Sequence, residues 1–266
     1  MKEFLKALLG ITIWSISFSA HGQLNVDCRF LDPNILIINC GVESRNALAE
    51  VIGQLRRMKP KVIALDFIFF DRRRADSIFI KRMKCETPII IAMGSKNDSS
   101  YFNLDNCHNG PHSITGNEVD NVEFLFPVVK HNKKLRDSFE LLVLKYYDPE
   151  KYWRLKNYLN SFDLSKLDGK AKIEFNGNSL KCFNSLDIGK LENLNPDLVK
   201  DKVVLLGYFG LNSDTPSKKD RDKFAFRVPG NNGETNYMYS PLISANIISN
   251  LIRKEIRDED LNRIKK

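Results

Sequence analysis

The chain has five cysteines but no CxxC pair, and their irregular spacing matches no zinc-site pattern. It contains no GxGxxG, no phosphate-binding glycine loop and no nucleophile elbow. Dinucleotide binding, phosphate cradling and serine-hydrolase chemistry are therefore without their usual devices. Aromatic residues are not interleaved with a basic stripe, which removes the pattern of a nucleic-acid platform. There is no internal repeat and no linker that would divide the chain in two. After the first residues, no stretch is apolar for the roughly 20 residues a membrane span requires.

What is present suffices for a sizeable core. The chain has 266 residues, of which 42% are hydrophobic and 10% aromatic, enough for one large domain. Its formal charge of +8 favours anionic surfaces but carries no information about fold. The basic residues are scattered, with local clusters at Arg72-Arg73-Arg74 and Lys81-Arg82.

Lys2 and Lys6 precede or border an apolar stretch, Ala7 to Phe18, followed by Ser19-Ala20-His21-Gly22-Gln23. A positive start, a short apolar middle and a small-x-small end describe a secretory signal peptide over residues 1–22, cut after Gly22. The alternative is an uncleaved anchor, the only route to membrane association the sequence offers. Both place the remainder outside the cytoplasm, in the periplasm or beyond the cell, where disulfides are allowed. The odd cysteine count leaves at least one thiol unpaired within the chain, and Cys40, after the apolar run Ile35 to Ile38, reads as a small core residue.

The periodicities alternate between strand and helix. Asn34 to Asn39 reads as a strand. Ser44 is a helix cap, Leu48, Val51, Ile52, Leu55 and Met58 recur at helical spacing, and Pro60 stops the run. Val62 to Phe70 is the next strand. A helix over Asp76 to Lys84 has Ile78, Phe79 and Met83 inward, and Ile89 to Met93 is a third buried strand. Such units predict an α/β domain with a mostly parallel sheet and flanking helices. From Gly94 to Gly116 the chain reads as a long polar loop. Val119 to Val129 reads as an edge strand or hairpin, since Pro127 argues against a central one. Leu135, Phe139, Leu142, Val143 and Tyr146 mark a helix broken at Asp148-Pro149 and resumed over Lys151 to Leu159. Ala171 to Phe175 and Leu180 to Phe183 flank Asn176-Gly177-Asn178 as an antiparallel hairpin. Val203 to Leu206 is the last core strand. A Gly- and Asn-rich loop, Pro229 to Asn236, leads to a helix from Pro241 to Lys254. Residues 253–266 form a charged tail.

Two segments stand out as halves of one site. Lys61 to Asp71 is an apolar run carrying Asp66 and ending on Asp71. Asp201 to Gly207 is followed by Asp214-Thr215-Pro216, and Ser244-Ala245-Asn246 lies beyond. In open α/β sheets ligands sit outside the carboxyl ends of strands. A carboxylate within an apolar strand must be hydrogen-bonded, paired or protonated, which makes Asp66 the leading candidate. Asp71 and Asp76 fit a turn and a helix start as well as a site. Asp214 fits a turn and shares the rim with Asp66. Asn246 fits a buried tie between helix and loop. Cys107-His108-Asn109-Gly110-Pro111-His112 contains HxxxH, but Gly110-Pro111 forbids the helix that would align the two imidazoles. No metal site and no cofactor are assigned.

The chain resembles the CHASE2 family of extracytoplasmic sensory domains. The resemblance rests on Leu48 to Pro60 followed by Val62-Ile63-Ala64-Leu65-Asp66, on Asp71 and Asp76, on Lys202 to Gly207 with Asp214-Thr215-Pro216, and on Ser244-Ala245-Asn246-Ile247-Ile248. It covers residues 25 to 252 and implies a single CHASE2-like α/β domain over 23–252, with an antiparallel addition. It also implies an input module without enzymatic activity. Such a module would recognise a small molecule or an envelope protein partner, and no nucleic acid, through Asp66, Asp71, Asp76, Asp214 and Asn246. The family's usual context has downstream membrane helices and an output domain, and this chain ends soon after the last helix motif. The alternative is a secreted hydrolase using Asp66, Asp71 and Asp214, with or without a divalent cation. A third reading is a structural envelope partner docking through the polar loop and the basic patch.

Overall fold

A computed structural model describes residues 32–41, 44–67, 69, 76–83, 86–93, 107–111, 124–125, 127–131, 134–160, 171–172, 180–210, 225–229 and 235–253. Its centre is a six-stranded sheet built from β1 (Asp32–Asn39), β2 (Val62–Asp66), β3 (Ile89–Met93), β4 (Cys107–Pro111), β9 (Phe183–Asp187) and β10 (Val203–Gly207). The strands lie in the order β4-β3-β2-β10-β1-β9. Every neighbouring pair is parallel. β2, β3 and β10 are buried along their whole length, as strands covered on both faces must be. Their sequences are accordingly almost unbroken Val, Ile, Leu and Ala.

One face is covered by α1 (Arg45–Arg57) and α2 (Asp76–Met83). Ser44 caps α1 by accepting the Ala47 N–H at 3.3 Å. Leu48, Ile52 and Leu55 of α1 join Leu36, Ile38, Ile63 and Leu206 of the sheet in one apolar cluster, together with Phe79 and Met83. The other face is covered by α3 (Phe139–Tyr147) and α5 (Ser240–Arg253), with α4 (Pro149–Asn160) packed on α3. Phe139, Val143, Leu242, Ile243, Ile247 and Ile248 join Ile37, Ala64 and Leu205 there. Cys40 is buried within the first cluster, with its Sγ 3.7 Å from the Ile38 carbonyl. Cys182 is disulfide-bonded.

Three small antiparallel pairs accompany the sheet: β5 (Phe124–Leu125) with β8 (Ala171–Lys172), β6 (Val128–His131) with β7 (Lys134–Asp137), and β11 (Ala225–Pro229) with β12 (Thr235–Tyr239). The α/β class, the parallel sheet and the antiparallel addition are as expected.

Several local expectations are corrected. β2 ends at Asp66 rather than Phe70, level with Gly207, where its neighbour β10 also ends. Ile78 is 52% exposed, so α2 turns Phe79 and Met83 inward without it. Residues 107–111, read as loop, form β4 on the sheet edge beside β3. Leu135 lies in β7, 54% exposed. The helix instead starts after Ser138, whose hydroxyl accepts the Leu141 N–H at 3.1 Å. Among the described residues, the hairpin expected over 171–183 does not appear. Ala171–Lys172 pairs with β5, and Phe183 begins a strand parallel to β1; Asn176-Gly177-Asn178 lie outside the described residues. Part of the loop expected over 229–236 belongs to the β11–β12 ladder. Residues 1–31 and 254–266, with the signal peptide and most of the tail, lie outside the described residues. Among the described residues no helix is long and apolar enough to cross a membrane.

Candidate functional site

The carboxyl ends of four strands line up. By register, Asp66 of β2 faces Gly207 of β10, Gly207 faces Asn39 of β1, and Asn39 faces Asp187 of β9. This crosswise row spans three interstrand gaps, about 14 Å at the usual strand spacing. It occupies the edge where parallel sheets bind their ligands.

Glycine at 207 is dictated by what lies on it. A Cβ there would stand 2.3 Å from Pro241 Cγ and 2.5 Å from Pro241 Cβ. The first turn of α5 therefore rests directly on the strand end, which brings Ser240 and Ser244 over Asp66. Ser244 Oγ donates to Asp66 Oδ2 at 2.9 Å, and Ser240 Oγ lies 3.3 and 3.4 Å from the two carboxylate oxygens. Ser244 Oγ is also 3.4 Å from Oε1 of Glu140, in the first turn of α3. Ser244 and Glu140 are fully buried, and Asp66 is 9% exposed. One hydroxyl of α5 thus joins carboxylates from β2 and α3. A hydroxyl carries a single proton, and the shorter contact gives it to Asp66.

Asn39 organises the other half of the row. Its Oδ1 accepts the N–H groups of Gly41 at 3.1 Å and Phe209 at 3.2 Å. Its Nδ2 donates to Asp187 Oδ1 at 3.1 Å and to the Gly210 carbonyl at 3.4 Å. One side chain so ties together the turns that follow β1 and β10 and the end of β9. Gly210, at φ +77°, supplies the left-handed backbone that this closure uses. Asp187 is exposed and gives the row a carboxylate that solvent reaches.

The remaining candidates fall in different places. Asp76 starts α2 and forms a buried ion pair with Arg45, the first residue of α1. The Arg45 guanidinium also lies over the Phe69 ring, 5.2 Å from its centroid. This contact joins the two helix starts. Asn246 is fully buried and donates from Nδ2 to the Leu242 carbonyl at 2.9 Å, one turn back along α5. Asp71 and Asp214 lie outside the described residues. Among the described residues no group of three or more His, Cys, Asp or Glu side chains is placed to hold a metal ion.

Glu140, Asn39, Asp187, Ser240 and Ser244 were not among the sequence candidates. Glu140 had a signal: a lone acid in Phe139-Glu140-Leu141-Leu142-Val143-Leu144, a run too apolar for a solvent face. Asn39 had another, as the polar end of an otherwise apolar strand.

His108, from the rejected metal motif, sits on β4. Its Nε2 is 2.6 Å from Tyr146 Oη, and the two rings stack at 4.5 Å. Burial, and then the nearby Lys145 ammonium, hold the imidazole below its ordinary pKa. Burial likewise raises the Tyr146 phenol. Which of the two groups donates in this contact is set by the imidazole tautomer.

Comparison with the curated proteins gave no match, and comparison with the solved structures gave none. The family model of the CHASE2 domain matches residues 41–264. That span includes β2 with Asp66, β10 with Gly207, and α5 with Ser244 and Asn246. The chain belongs to the CHASE2 family of extracytoplasmic sensory domains.

Proposed function

We propose that this domain is an exported, non-enzymatic sensor that binds a small molecule over the row Asp66–Gly207–Asn39–Asp187. The observation that carries the reading is the row itself. It places two carboxylates and a loop-organising amide at the carboxyl edge of a parallel sheet. Asp66 and Asp187 offer carboxylate acceptors. Asp71 and Asp214 are proposed to complete the rim from the loops after β2 and β10, while Asp76 and Asn246 support it from α2 and α5. A ligand bearing amine, amide or hydroxyl donors suits such a rim.

Glu140 and Ser244 have no exposed surface, which suits them to holding Asp66 in place rather than to touching a ligand. Export is supported by the signal-like residues 1–22 and by the disulfide at Cys182, since such bonds persist in oxidising compartments.

Thermal unfolding of the purified protein with a metabolite and divalent-cation panel tests the proposal. A ligand at 100 times its Kd stabilises by about 2.7 kcal/mol. The expected result is a raised Tm with at least one compound, lost in Asp66→Ala and in Asp214→Ala. Saturable turnover of a panel compound, abolished by Asp66→Asn, contradicts the non-enzymatic reading.

A further inference from the structure

We infer that α5 couples the carboxyl-edge site to the opposite edge of the sheet, where the strands begin. The inference rests on the proposed site only for what the coupling reports; the coupling itself is argued from the helix.

α5 runs antiparallel to the strands and is pinned at two points. In its second turn, Ser244 donates to Asp66 at 2.9 Å, the last residue of β2. Near its end, Ser249 donates to Asp32, the first residue of β1, and Arg253 Nε lies 3.8 Å from the same carboxylate. Asp32 is fully buried. Lys151 of α4 closes that end by donating to the Ile252 carbonyl at 2.6 Å. Ser244 and Ser249 stand about 7.5 Å apart along the helix axis at its ordinary rise, so one short rigid stretch carries both contacts.

Between the pins α5 is buried on all sides, and the two serine contacts fix its axial position against the sheet. Ser244 and Ser249 have no exposed surface, so a shift that frees either hydroxyl leaves a carboxylate short of a buried donor, which is costly. Pro241 on Gly207 blocks movement toward the sheet at the first turn. One rigid helix thus carries two register-specific contacts, and loosening one biases the other. Binding that draws Asp66 away from Ser244 would therefore be felt at Asp32.

Hydrogen exchange by mass spectrometry on the full chain, without any ligand, tests this. In Ser244→Ala, amides at 249–253 and 32–36 exchange about 5-fold faster or more, as expected for coupled sites. Reciprocally, Ser249→Ala accelerates 62–66 and 240–244, because coupling acts equally in both directions. Ser240→Ala serves at the first end if Ser244→Ala does not fold. Ile38→Val, on the other face of the sheet, is the control for general destabilisation. Effects confined to the mutated end, or the same pattern in Ile38→Val, overturn the inference. A ligand panel without a hit bears on the proposed function and leaves this result standing.

Discussion

Gly207 and Pro241 touch so closely that a single Cβ on the glycine would stand 2.3 Å from the proline ring. A proline ring cannot rotate aside, so Gly207→Ala must move α5 or the end of β10. Overpacking of this kind costs about 1–3 kcal/mol. Urea unfolding is expected to show a lower midpoint for Gly207→Ala with an unchanged slope. Adding Pro241→Gly, which removes both overlapping carbons, should return part of the loss.

The serines on Asp66 differ in burial and geometry, and their substitutions should differ too. Ser244→Ala removes the 2.9 Å donor to a nearly buried carboxylate, a charged hydrogen bond of about 1.5–3 kcal/mol. Ser240→Ala removes longer contacts from a half-buried residue and is expected to cost less than Ser244→Ala in the same denaturant titration. The reverse order would mean that Asp66 is held chiefly from the helix start.

The Arg45–Asp76 pair is buried on both sides. Removing one partner of such a pair typically costs about 3–5 kcal/mol, whereas replacing both by apolar residues costs much less. Asp76→Ala should therefore lower Tm strongly, and Arg45→Met with Asp76→Leu should restore most of it. Equal losses in the single and double variants would contradict a structural pairing.

Acid should weaken the fold through His108. Burial and Lys145 depress its folded-state pKa, so as pH falls below about 6.5 the unfolded chain takes up the proton first. The unfolded state then binds more protons, and unfolding free energy decreases with falling pH. His108→Gln should flatten the stability profile between about pH 7 and pH 5. Lys145→Met, which removes one cause of the depression, should make the acid loss smaller. A profile of His108→Gln identical to that of the unsubstituted protein would exclude His108 as the titrating group.

The parallel core was legible because its strands are continuous apolar runs: Ile35 to Ile38, Val62 to Leu65, Ile89 to Met93 and Val203 to Leu206 announce themselves locally. Asp66 was legible for the same reason, as a carboxylate in such a run. Its partners were not, since Ser240 and Ser244 lie 174 and 178 residues away and only the packing of Pro241 on Gly207 brings them over. Leu135 was misread because its spacing to Phe139 and Leu142 fits a helix, while the true start was written in the Ser138 cap. β4 was hidden by composition: Cys107-His108-Asn109-Gly110-Pro111 has no strand pattern. It is held at the edge by β3 and by the close approach of Gly110 to Phe139, whose backbone a Cβ would meet at 2.8 Å. β9 was misassigned because its partner, β1, lies far upstream, with the Asn39–Asp187 contact closing 148 residues of chain.

Ligand binding at the row Asp66–Gly207–Asn39–Asp187 is the proposal on which the function rests. Hydrogen exchange with and without the compound that most raises Tm is the most direct measurement. Protection concentrated at residues 39–41, 66–69, 187 and 207–210 is the predicted result. Protection confined to the opposite edge, around Asn34, Lys61 and Lys202, would place the ligand elsewhere and contradict it.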